Sequence, residues 1–122
     1  MQRSFTQKIA SYVNTELAKS KHAKSIGDSQ LEFAYFERAH VLGQESTFWH
    51  VKVHILMLTW ALRNISAREF IGQIVRILGA LVVTPLGVVP LGNTGGANVS
   101  PLEKMAIDPE LAALIKKAKT GK

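Results

Sequence analysis

The sequence predicts an all-α protein: four main helices in antiparallel hairpins, then a Gly/Pro-rich C-terminal segment and a short terminal helix. Three observations carry this. Capping signatures recur along the first part of the chain, apolar residues between them follow helical spacing, and from Val83 that spacing yields to Pro and Gly. At 122 residues, 47% hydrophobic and 20% charged, the chain suits one folded domain with its own core. Residues 1–82 are expected to form the helical core, with 83–122 packed on it.

Ser4 and Gln7 are placed for a capping box, so a first helix is expected from Phe5 to about Lys19, with Ile9, Tyr12, Val13 and Leu17 at helical spacing. After the link KSKHAKSIGD, Ser29 with Glu32 reads as a second capping box. The helix it opens should run to about Leu42, where Gly43 is a natural stop. A third helix, about Phe48 to Arg63 behind Ser46 or Thr47, is apolar around most of its circumference, as a central helix of a bundle is. Ser66 with Glu69 opens a fourth, Ala67 to about Val82, carrying Phe70, Ile71, Ile74, Val75 and Leu78. Ser100-Pro101 and Asp108-Pro109 each put proline at a first helical position, and the second should begin a helix from Pro109 to Ala118.

Composition narrows the function. Fifteen Lys and Arg against nine Asp and Glu give +6, but the cations gather at Lys19, Lys21 and Lys24 and at Lys116, Lys117, Lys119 and Lys122, with no aromatic interleaved to stack on bases. Nucleic acid is not the expected partner. With no cysteine, a metal could take only nitrogen, oxygen or thioether ligands. The longest apolar run, Ile77 to Leu91, is broken by Pro85 and Pro90 and is too short to span a bilayer, which needs about 20 residues. MQRSFTQKIASYV lacks an uninterrupted apolar stretch of the signal-peptide kind, so a cytoplasmic address is expected. An apolar third helix that four short helices do not fully cover leaves room for a homodimer or a protein partner.

The candidate site lies in ERAHVLGQESTFWHVKVH, residues 37–54, which holds Glu37, His40, His50 and His54. Glu37 and His40 are three apart and His50 and His54 four apart, so each pair projects from one helical face. If the second and third helices turn near Glu45, the four side chains fall in two adjacent layers. Packed helix axes lie about 8–10 Å apart, a gap that imidazoles and a carboxylate bridge through a metal about 2.0–2.2 Å from each donor. A mononuclear site for zinc, iron, copper or nickel is one reading, and Met57 as a thioether would tilt it toward copper. The other is a polar network in which buried His and Glu satisfy one another and fix helix register. A metal-free catalytic His/Glu pair is a third, but no Gly-x-Ser-x-Gly elbow or Ser-His-Asp order supports a hydrolase.

GNTGGANVS, residues 92–100, lacks the Gly-Lys-Ser/Thr ending of a phosphate loop. It reads as a tight turn in which Asn93 and Asn98 hydrogen-bond the backbone and lay the C-terminal segment across the bundle.

Two resemblances bear on these readings. GDSQLEFAYFERAHVLG, residues 27–43, resembles the second helix of a tetratricopeptide unit, which implies stacked hairpins and an interaction module whose His and Glu are structural. HVLGQ (His40 to Gln44), followed by HVKVHILML and GNTGGANVSP, resembles a small bacterial family, domain-of-unknown-function family 3703, whose members carry a His-Ile-Leu-Gly-Gln motif. The likeness runs from Glu37 to about Leu114, with Val41 where isoleucine is usual. It implies no activity, cofactor or catalytic residue.

Overall fold

The computed structural model describes residues 3–121. Among them are five α-helices and no strand: α1 (Phe5–Ser25), α2 (Ser29–Gly43), α3 (Thr47–Arg63), α4 (Ala67–Val83) and α5 (Pro109–Thr120). Three-residue connections join the first four. Helices α1 and α2 pack together, α3 packs on α4, α2 links the pairs through α3, and α5 closes over α1 and α2. The partners run antiparallel. At one end of the α2/α3 pair the Trp60 indole donates to the Ser29 carbonyl at 2.8 Å, and at the other a Cβ on Gly43 would come within 2.5 Å of the Trp49 Cβ. Only glycine lets the two backbones approach this closely.

The caps show why the helices begin where they do. Ser4 and Gln7 form the expected reciprocal box, and Ser46 and Ser66 accept from Trp49 and Glu69 amides at the starts of α3 and α4. At α2 the cap is Asp28, which accepts the Leu31 amide, so Ser29 is the first helical residue instead of the cap. Helix α1 outruns its expected end at Lys19. The segment KSKHAKS contains no breaker, Ser20 and Ala23 are buried, and the turn waits for Gly27 at φ 78°. The start expected at Ser100-Pro101 forms no helix, because the Ser100 and Glu103 carbonyls are both taken by the Asn93 side-chain amide at 2.8 Å. Asp108-Pro109 does open α5, which runs two residues beyond Ala118.

The core joins Ile9 and Val13 of α1, Phe36 and Leu42 of α2, Trp49, Val53 and Met57 of α3, and Leu111 and Ala118 of α5. Each of the larger side chains contributes about 1.5–3 kcal/mol on burial. Met57 is wholly buried among them, and its place is that of a packing residue. Ion pairs fasten the periphery: Arg63 holds the buried Glu32 through two bonds, and Arg38 ties Glu16 of α1 to Glu110 of α5.

Helix α4 is inverted. Its buried residues are Glu69, Gln73 and Ala80, while Ile71, Ile74, Val75, Leu78, Leu81 and Val82 are exposed. The side expected to enter the core faces out, and a polar side faces in. No helix among the described residues is long and apolar enough to cross a membrane.

Candidate metal centre

His40, near the end of α2, meets His50 and His54 on successive turns of α3. The antiparallel pairing of α2 with α3 brings the three together. They are buried, and one nitrogen from each lies within 4.8 Å of the others. The ring centroids form a nearly equilateral triangle with sides of 4.6, 4.8 and 4.9 Å.

Each ring is held by its other nitrogen. His40 Nδ1 donates to the Asn93 carbonyl at 2.7 Å. His54 Nδ1 donates to Gln73 Oε1 at 2.6 Å. The orientation of that amide is fixed, because Gln73 Nε2 donates to Glu69 Oε2 and to the Gly95 carbonyl at 2.7 and 2.8 Å. His50 Nδ1 pairs with the Thr84 hydroxyl at 2.7 Å. Glu69 in turn accepts the Ala97 amide. Support thus comes from α4, from its C-terminal cap and from the 93–97 turn.

This arrangement decides the tautomers. With a carbonyl opposite Nδ1 of His40 and of His54, both protons sit on Nδ1 and both Nε2 atoms present lone pairs. Those two Nε2 atoms are 3.1 Å apart. Two lone pairs at hydrogen-bond distance repel unless a proton or a metal ion lies between them. Protonation is disfavoured at neutral pH: burial, with the neighbouring imidazoles, pushes His40 well below its ordinary value and His54 to about 3, and burial pushes His50 to about 4. A metal bound at about 2.0–2.1 Å separates two nitrogens of a tetrahedral site by about 3.3 Å. The histidine group could hold such an ion, with acceptors already orienting its ligands as metal-bound imidazoles require.

Glu37, expected beside His40, is not one of this group. One turn earlier on α2, it meets a different layer, where the Thr94 hydroxyl donates to it and Glu69 lies near; burial raises its pKa. His22 is exposed on α1. The residues that sequence reasoning missed are Gln73, Thr84, Asn93 and Gly95. A glutamine amid apolar residues on α4 was the available signal.

Against the rings lies a cavity of about 220 Å³, lined by Val75, Ala80, Val83, Val88, Pro90 and Leu102 together with Arg76 and the three histidines. Arg76 donates to the Gly72 and Val99 carbonyls, and its buried Nε has no partner among the described residues. A fourth coordination position on this side would meet a mostly apolar chamber with one cation in its wall.

A family model matches residues 7–115, which take in all three histidines, Gln73 and the Asn93 turn. The chain belongs to the DUF3703 family of proteins of unknown function. No curated protein and no solved structure matches it. In this DUF3703 chain HVLGQ and the start of the GNTGGANVSP segment fasten each other. At one end of HVLGQ, His40 donates to Asn93; at the other, Gln44 donates to the Pro90 carbonyl and accepts the Gly92 amide. Within GNTGG, Asn93 accepts the Gly95 amide, so Asn93 bonds the backbone as expected.

Gly95 touches the site most closely. It sits at φ 89°, and a Cβ there would fall 2.7–2.9 Å from three atoms of the His40 ring. Gly95→Ala is expected to cost about 3 kcal/mol or more in denaturant unfolding, from a left-handed backbone plus a displaced ring. A cost below about 1 kcal/mol would show that the turn does not press on His40.

Gln73→Leu strands the His54 Nδ1 proton and the Gly95 carbonyl, and leaves Glu69 with the Ala97 amide alone. The expected cost is about 1–3 kcal/mol for each group left unsatisfied, read by denaturant unfolding. Unchanged stability in the variant would mean that His54 is oriented by something else.

Proposed function

We propose that this DUF3703 protein is a metalloprotein in which Nε2 of His40, His50 and His54 binds one first-row transition-metal ion, with a fourth position toward the apolar cavity. The observation that carries the reading is the facing pair of Nε2 atoms at 3.1 Å, both with Nδ1 committed to an acceptor. Three neutral imidazoles suit zinc, iron, copper or nickel. Three protein ligands with an open position are the pattern of centres that sense, carry or react, as opposed to closed structural ones. Sensing and an oxygen-related reaction are the roles this chamber fits; Glu37 stays outside the proposed ligand set.

Elemental analysis by inductively coupled plasma mass spectrometry, on untagged protein and on His50→Ala/His54→Ala, tests it. Near-stoichiometric metal in the first, lost in a folded variant, is the expected result. No metal in either, even after incubation with each of the four ions, would overturn the proposal.

A second reading, an interaction module with a purely structural histidine network, is favoured by one observation: the apolar side of α4 faces outward. It predicts a stable apo protein that never takes up metal.

A further inference from the structure

We propose that the outer face of α3 and α4 is the interface of a homodimer, formed with a second copy of this chain. This interface is independent of any metal at the histidine cluster.

On α4, Ile71, Ile74, Leu78 and Leu81 repeat at spacings of three and four, with Val75 and Val82 beside them, and all six are between 41% and 63% exposed. At 100° per residue they form one stripe opposite the buried Glu69, Gln73 and Ala80. On α3, Phe48, Ile55 and Leu62 recur every seven residues and are 57%, 46% and 60% exposed; Lys52, exposed between Phe48 and Ile55, lies at the rim with its ammonium over the Phe48 ring at 5.7 Å. Helix α4 packs on no other helix than α3 among the described residues. Between Phe70 and Leu102 the sole charged residue is Arg76.

The area fits a stable dimer. Nine such side chains expose on the order of 1,000 Å², above the few hundred Å² of a typical monomer's largest apolar patch and comparable with the roughly 800 Å² per partner of a stable interface. Spacing selects the occupant. Stripes at three-four and seven-residue intervals on two adjacent antiparallel helices form the seam of a four-helix bundle, and a second copy supplies the matching pair across a two-fold axis. A helix lying on a lipid surface carries Lys and Arg along its polar flank to meet phosphates. Here that flank is turned inward, and Arg76 is spent on the Gly72 and Val99 carbonyls. Val75 also lines the histidine cavity, so the partner would lie near its mouth.

Sedimentation velocity of the full chain at about 50 µM and on dilution tests this, since association follows concentration. The expected mass is twice 13.4 kDa. Leu78→Gln and Ile55→Gln should each weaken association about tenfold or more with helical circular dichroism unchanged, while Ile26→Gln, exposed outside the face, leaves it intact. Should Leu78→Gln fail to fold, Ile55→Gln on the other helix gives the same reading. A monomer at the highest concentration would overturn the proposal. So would a dimer indifferent to both face variants, or a monomer that pellets with vesicles of phosphatidylcholine and phosphatidylglycerol.

Discussion

Zinc in excess, with free ion at about a thousand times its dissociation constant, is expected to raise the melting temperature of the metal-free protein by roughly 15 °C. A ligand at that concentration stabilises the fold by about 4 kcal/mol, and each kcal/mol moves the midpoint of a domain this size by about 4 °C. His54→Ala should abolish the shift, because the remaining two imidazoles lie on different helices and lose the nearest Nε2 partner, at 3.1 Å from His40. The same variant leaves Gln73 Oε1 without its donor, so its metal-free form should be less stable by about 1–3 kcal/mol. Differential scanning fluorimetry with and without zinc separates the two effects. A wild type whose midpoint ignores all four ions would favour the structural network.

Acid is expected to act nearly as strongly on the metal-free protein. In the unfolded chain the three histidines titrate near 6.5; in the fold, burial holds His50 at about 4, His54 at about 3 and His40 well below its ordinary value. Above the unfolded value both states are neutral and nothing is lost. As pH falls below about 6.5, the unfolded chain takes up protons that the fold refuses, so stability drops until the folded values are reached. From pH 7 to pH 5 the loss is about 2 kcal/mol for each of His50 and His54, on the order of 4 kcal/mol together, and His40 adds in the same direction; this is a large part of the whole stability of a domain this size. Urea unfolding with a chelator at the two pH values measures it. Equal stability at both would show that the rings are not buried as neutral imidazoles.

Much of this site was legible because its histidines obey local rules. His50 and His54 share a helical face at a spacing of four, and the short turn after Gly43 brings His40 opposite them. What escaped was whatever depends on α4 and the 93–97 turn. The apolar stripe of α4 has the period of a core face, and period alone cannot say which side is buried; Gln73, bonded to three groups, fixes it the other way. Asn93 replaces the helix hydrogen bonds of residues 100–103 by side-chain bonds, which no local propensity announces. Glu37 had the right spacing from His40, but one turn along a helix is about 5 Å, enough to put its carboxyl beside Thr94 instead.

X-ray absorption at the metal edge of the zinc-loaded protein reads the donor set itself. Three imidazole nitrogens and one further oxygen or nitrogen donor are expected at about 2.0–2.1 Å, with the imidazole scattering reduced by one ring in His50→Ala. A spectrum dominated by oxygen donors, or one unchanged by that substitution, would place the ion elsewhere and contradict a three-histidine site.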